Sequence, residues 1–323
     1  MAKYKQITQE ERYQIAALLA AGFNQSYIAA QLSRDKSTIS REISRNKGPR
    51  SYQPKQANDK ALQRRKTAYK AVKMTAELIT FVESKLREEW SPDQISGWLL
   101  IECHMTLSHE RIYQHIWEDK HQGGDLYKHL RRQGKKYEKR CNGKSSRGQI
   151  KNRVSIDHRP MIVAAKLRVG DWEIDTVIGK NHQGALVTLV ERKTLYTLVA
   201  QVDRKQADKV TKATIDLLTP FEGRVHSITA DNGKEFAFHE EIAKQLKTKV
   251  YFAHPYHSWE RGLNENTNGL LRQYFPKHTN LKNVTKEEVD LAAYKLNNRP
   301  RKTLGYKTPA QMMNRSLARI AYK

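Results

Sequence analysis

The sequence predicts an all-α amino-terminal region followed by an α/β core built on a mixed sheet. Apolar residues recur at helical spacing as far as about residue 127. After residue 153, three β-rich runs follow one another and then give way to alternating helices and strands. The third observation is electrostatic. In 323 residues, 59 Lys and Arg stand against 34 Asp and Glu, and the formal charge of +25 repels itself unless a polyanion is the usual partner. Nucleic acid is the first candidate.

From Thr8 to Asn46 the pattern is of short helices and short loops, with an apolar face through Ile15, Leu18 and Leu19 and a break at Ala21–Gly22. Gln25–Ser44 fits a helix-turn-helix: Ile28 and Leu32 face inward on one helix, Ser33–Lys36 turns, and Ile39 and Ile43 face inward on the next. Ser33 stands where many such turns use glycine to reach a left-handed conformation. The outward face of the second helix carries Lys36, Ser37, Thr38, Ser40, Arg41 and Arg45, short hydroxyls and long cations suited to phosphates and to base edges in a major groove. A small bundle with a solvated polar face is the alternative. Residues 1–46 are therefore assigned as a helix-turn-helix DNA-binding domain.

Gly48–Pro49 interrupts the helical pattern, and 47–74 reads as a basic linker that turns helical after Pro54. Between 75 and 127, Leu78, Phe81, Val82 and Leu86 fall at helical spacing, Ser91–Pro92 starts a helix, and another runs from Ser108 to Trp117. This second helical domain is read either as a further DNA reader, through Arg111 and His115, or as a dimerisation bundle. Residues 128–153 hold eleven Lys or Arg and one acid, Glu138, with Gly and Ser interspersed, a composition that packs no core and marks a basic linker.

Residues 154–323 form the expected core. Trp172–Ile178, Ala185–Val190 and Tyr196–Val202 read as a three-strand antiparallel meander. A helix from Gln206 to Leu218, a strand ending at Ala230–Asp231, a helix from about His239 to Leu246, a strand Lys249–Ala253, and helices after Gly262 and Thr285 complete it. Cys103 and Cys141 form neither a Cys-x-x-Cys pair nor a disulfide framework. With no run of about 18 apolar residues and no signal-peptide pattern, a soluble, intracellular protein that engages no membrane is expected.

Three acids draw attention. Alternation along Gly170–Asp175 puts Asp171, Glu173 and Asp175 on one face of a strand, with Trp172, Ile174 and Thr176 opposite. Asp231 closes another apolar strand just before Asn232–Gly233, where the chain turns away. Glu265 lies early in an Asn- and Gly-rich helix, with Arg272 two turns later. Singly, each has a bland explanation as a turn former or a solvated acid. Together, carboxylates from separate elements need a cation between them, and hard oxygen ligands suit Mg2+ or Mn2+. Two such ions serve phosphoryl transfer. His254 and His257 have the spacing of a metal pair but lack further ligands nearby, so loop structure or DNA contact is favoured there.

The stretches Arg153–Asp157, Gly170–Asp175, Thr229–Phe236, His254–Tyr256, Trp259–Lys277 and Leu296–Ala310 resemble the DDE transposases of the insertion sequence thirty family, and the resemblance covers nearly the whole chain. Asp231 and Glu265, with 33 residues between them, match that family's spacing. The resemblance implies an RNase-H-like catalytic core, the first and fourth strands of which are neighbours and bring Asp175 and Asp231 together, with Glu265 completing a metal-binding catalytic triad. It also implies that Arg272 contacts terminal DNA, that the DNA partners are the terminal inverted repeats and a target, that the protein assembles as a homo-oligomer on DNA, and that it acts in a bacterial cytoplasm beside the nucleoid. Asp171, His158 and Glu260 depart from the family pattern. A DNA-binding repressor with an inert core and a nuclease that does not rejoin strands are the competing readings.

Overall fold

The computed structural model describes residues 6–68, 74–131, 150–255 and 257–321. Residues 132–149 of the expected basic linker, with Cys141, lie outside them, as does Tyr256. The chain divides into two compact units, Met1–Lys73 and Met74–Lys323.

Among its described residues the first unit has four helices: α1 (Gln9–Ala20), α2 (Gln25–Gln31), α3 (Lys36–Asn46) and α4 (Pro54–Thr67). Side chains set the helix starts, since Thr8 and Glu11 form a reciprocal capping box, and Asn24 and Asp35 accept from Tyr27 N and Ser37 N. Ile15, Ile28 and Ile39 are fully buried, and Leu18, Leu19, Leu32 and Ile43 pack around them, as the periodicity predicts. Ser33 does take the left-handed conformation, with φ of 49°. The stretch read as linker and helix contributes α4, and Tyr52 and Ala57 enter the same core. Arg12 fastens the helices: buried on α1, it pairs with Glu42 of α3 at 2.8 Å and donates to Asn58 of α4. Glu42 also accepts from the Tyr52 hydroxyl at 3.0 Å.

The second unit begins with α5 (Ala76–Arg87), α6 (Pro92–Glu102) and α7 (His109–His121), closed around Val82, Leu86, Ile95, Leu99, Ile112 and Ile116. A six-stranded sheet follows, made of β1 (Val154–Ser155), β2 (Asp171–Ile178), β3 (Ala185–Glu191), β4 (Thr197–Val202), β5 (Ser227–Ala230) and β6 (Lys249–Phe252), in the order β1-β6-β5-β2-β3-β4. The predicted meander is β2 to β4, antiparallel throughout; β5 runs parallel to β2, and β6 and β1 extend the sheet in parallel. Helices α8 (Met161–Ala164), α9 (Ala207–Leu218), α10 (His239–Gln245), α11 (Gly262–Tyr274), α12 (Lys286–Asn297) and α13 (Pro309–Ala321) complete the chain.

Both faces of the sheet are covered, so β3, flanked by β2 and β4, is buried at every residue. Trp172, Ile174, Val187 and Leu189 share a core with Val210 and Leu218 of α9 and Ile242 of α10. Val177, Leu186 and Val199 face Leu270 and Leu271 of α11 and Val289 and Leu296 of α12. Strand β1 and helices α8 and α13 are additions to the predicted set. The helical block docks on the carboxyl-terminal segment after α12: Gly97 of α6 lies against the Tyr306 ring, whose hydroxyl approaches Asp93 at 3.4 Å, and Lys302 pairs with Asp93.

Candidate active site

Strand register fixes the first two acids. In the parallel β2–β5 pair, Asp171 faces Ser227 and Glu173 faces Thr229, and the same offset carried onward sets Asp175 beside Asp231. Gly170 starts this register. Its φ is +106°, its carbonyl accepts from His226 N at 2.7 Å, and a Cβ there would stand 1.9 Å from the Arg224 carbonyl oxygen. Beyond β5 the chain turns at Asp231-Asn-Gly because Asp231 Oδ1 accepts from Gly233 N at 2.8 Å.

Arg261, on the turn into α11, lies between the two carboxylates. Its guanidinium is 3.2 Å from Asp231 Oδ2 and 3.5 Å from Asp175 Oδ2, and it also donates to the Ile174 carbonyl at 3.2 Å. Asp175 is further held by Thr176 N at 2.8 Å and Asn268 Nδ2 at 3.0 Å. Burial pushes its carboxyl above the ordinary range, Arg261 pulls it down, and Asp231 pushes it up again. Below this pair, buried Glu173 meets Arg192 and accepts from Asn264 N of α11, and burial raises its carboxyl too. On the opposite face of β2, Thr176 donates to Glu235, which pairs with Lys205.

Helix α11 thus rides on β2 at three levels: Asn264 N at Glu173, Asn268 at Asp175, and Arg272 Nη2 at the Ile178 carbonyl, 2.8 Å away. Between strand and helix opens a cleft of about 860 Å³ whose walls include Asp175, Glu265, Asn266, Arg272, Lys277 and Arg131. Glu265 is exposed in the first turn of α11 and looks into the same cleft as Asp175.

The structure therefore brings Asp175 and Asp231 to one cation and places Glu265 on the shared cleft. Among the described residues no three Asp, Glu, His or Cys side chains approach closely enough to enclose a metal ion. The residues nonetheless fit a hard divalent cation. Two carboxylates already converge on a positive charge, and the Asn264 side-chain oxygen, a hard neutral ligand atom, is buried without a partner among the described residues.

On α3, Lys36, Ser37, Ser40, Arg41 and Arg45 are exposed and Thr38 is half-buried, so the predicted recognition face does look outward. Arg272 lines the cleft but is half-buried, donating to the carbonyls of Ile178 and Phe275. The ring nitrogens of His254 lie 2.8 Å from Glu260 and 3.0 Å from Asp157. Asp171, another departure from the family pattern, pairs with Arg168 at 2.8 Å. The sequence places Glu173 on the face of Asp175 and Asn268 near Glu265, but it points neither to Arg192 as the partner of Glu173 nor to Arg261.

Comparison with known proteins agrees with this architecture. A family model described as a helix-turn-helix domain matches residues 3–46, and one described as an integrase core domain matches residues 168–258. The transposase for insertion sequence element IS4351 of Bacteroides fragilis is 47% identical over 307 residues, 94% of each chain. The transposase InsI for insertion sequence element IS30A of Escherichia coli (strain K12) is 39% identical over 324 residues, 97% of this chain and 84% of that one. The transposase for IS1086 of Cupriavidus metallidurans is 35% identical over 328 residues, 98% and 96% of the two chains. Among solved structures, the catalytic core domain of BIV integrase covers 48% of this chain and 99% of that one at 20% identity and a TM-score of 0.37, too distant a likeness to carry residue roles.

Proposed function

The chain belongs to the insertion sequence thirty family of transposases, and from that premise we propose that α3 grips the terminal inverted repeats of its own element while Asp175, Asp231 and Glu265 cut the ends and join them to a target. An integrase core of this kind depends on divalent metal. Asp175, Asp231 and Glu265 would hold two Mg2+ or Mn2+ ions, which when bound activate the attacking oxygen and stabilise the leaving one.

The single observation that supports this assignment most is the convergence on Arg261 of Asp175, within β2, and Asp231, just past the end of the parallel β5, beside the cleft lined by Glu265. The surrounding residues have separable tasks. Thr176 N and Asn268 fix the rotamer of Asp175, and Gly233 N fixes that of Asp231, so neither carboxylate has to be ordered when substrate arrives. Arg272 and Lys277 bring positive charge to the cleft wall, where a phosphodiester must be neutralised. Water, and then the freed 3′-hydroxyl, serves as nucleophile, so no covalent protein intermediate is required.

On DNA the chain works as a homo-oligomer, in the cytoplasm beside the nucleoid. We divide it into a helix-turn-helix domain (1–46), a basic linker and helix (47–74), a second helical domain (75–127), a basic linker (128–153) and the catalytic domain (154–323). Asp231→Ala and Glu265→Ala proteins should bind DNA from the ends of the element and leave it uncut in Mg2+. Full cleavage by either variant removes that residue from catalysis.

A further inference from the structure

A second hollow, of about 220 Å³, flanks α11 beside the catalytic cleft, and Arg131 and Asn266 line both. Glu89, His129, Gln273, Arg299 and Arg301 are among its other charged and polar walls. The charge balance there is uneven. Glu89 is the only carboxylate lining it among the described residues; it lies 3.4 Å from Arg299 and 3.8 Å from Lys295. Arg299 is only 2% exposed and also donates to Gln273 Oε1 at 3.1 Å and to the Tyr274 hydroxyl at 2.7 Å.

Arg301 is the anomaly. One donor reaches the Leu296 carbonyl at 3.1 Å, and no carboxylate among the described residues forms an ion pair with it. Its Nε, like that of Arg299, is buried without a partner among the described residues. Burial, with Arg299 and Arg131 nearby, lowers its pKa to about 10, which still leaves it charged at neutral pH. A half-buried cation with its Nε out of water and no counter-ion is costly, and arginine presents a planar fork matched to phosphate. Fastening the carboxyl-terminal segment to the helical block does not account for it. Asp93 with Lys302 and Tyr306, and Glu89 with Arg299, make that joint.

We propose that this hollow is a phosphate site for the DNA backbone, in which Arg301 binds one phosphate of the strand that lies in the adjoining catalytic cleft, with Arg299 and Arg131 adding charge. The inference rests on the reading of that cleft as the place where DNA is cut. Continuity favours DNA over a free anion, because a strand passing Glu265 and Asn266 on α11 reaches the hollow directly.

The test uses the full chain and a duplex carrying the DNA that flanks its own gene, with affinity measured as a function of salt. Arg301→Gln should reduce the slope of log affinity against log salt by about 0.9, so that its deficit shrinks about 3.5-fold between about 50 and 200 mM salt. Arg301→Lys should keep the wild-type slope, and Glu89→Gln, which removes the competing carboxylate, should tighten binding. An unchanged slope in a folded Arg301→Gln protein overturns the site, and so does weaker binding by Glu89→Gln. If Arg301→Gln does not fold, Glu89→Gln decides alone. Inorganic phosphate that raises the melting temperature of wild type but not of Arg301→Gln, with DNA slopes equal, assigns the hollow to free phosphate and overturns the DNA proposal. Failure of the catalytic assignment registers separately, as cleavage by Asp231→Ala, whose salt slope is not expected to change.

Discussion

Arg261→Gln should make the stability of this protein depend on divalent metal. Its guanidinium stands 3.2 Å from Asp231 and 3.5 Å from Asp175, with side-chain exposures of 11%, 21% and 22%. At an effective dielectric constant of about 20, each contact represents about 5 kcal/mol of gross attraction, most of which desolvation offsets. Removing one member of a buried charge cluster costs about 3–5 kcal/mol, because the partners keep their burial and lose their compensation. The residual exposure of both carboxylates argues for the low end, about 3 kcal/mol. In a domain of this size that lowers the melting temperature by about 6–12 °C. In chelator the variant should melt lower by that amount, and in millimolar Mg2+ or Mn2+ most of the difference should disappear, because an ion then neutralises the same two acids. Melting curves of both proteins with and without metal provide the measurement. An equal deficit in both conditions refutes the reasoning and reduces Arg261 to a tether on the Ile174 carbonyl.

Gly170→Ala forces a Cβ to 1.9 Å from a backbone oxygen at φ of +106°, so strain and overpacking together should cost about 2–6 kcal/mol. Cleavage should fall with stability while α3 still binds DNA in a gel shift; unaltered melting contradicts the account of the strand register. His254 is held above its ordinary pKa of 6.5 by hydrogen bonds to Glu260 and then Asp157, so the stability it contributes is fully present below 6.5 and is lost as pH rises through the raised value. Asp157 is held low by Ser155 and His254, and its contribution is lost in the opposite direction, on acidification. His254→Gln should therefore flatten the decline in stability above about pH 6.5, and a parallel decline in both proteins rules out the cluster as its source. Ser33→Gly relieves the left-handed φ of 49° between α2 and α3 and should raise stability by up to about 1 kcal/mol, read by chemical denaturation. A loss of stability there contradicts the strain argument.

What the sequence revealed and what it hid divide along physical lines. The alternation Trp172, Glu173, Ile174, Asp175 is local, so which acids share a face of β2 was legible, as was the Asp231-Asn-Gly turn that ends β5. Arg261 was not, because its part is set by long-range electrostatics and it is one cation among 59. Buried Glu173 and Arg192 look like surface residues until both are found inside. Helix α4 hides its packing for a related reason: of its own residues only Ala57 is buried, beneath a crowded charged surface. Strand β1, two residues long, has too little sequence to show a period, and it exists through pairing with β6.

The seating of Tyr306 on Gly97, with Asp93 gripping Lys302, means that the helical block and the sheet are mated by surfaces far apart along the chain. The helical block and the catalytic region, produced as separate polypeptides, should therefore reassociate and co-purify. A methyl group added at position 97 is the smallest wedge that should prise them apart.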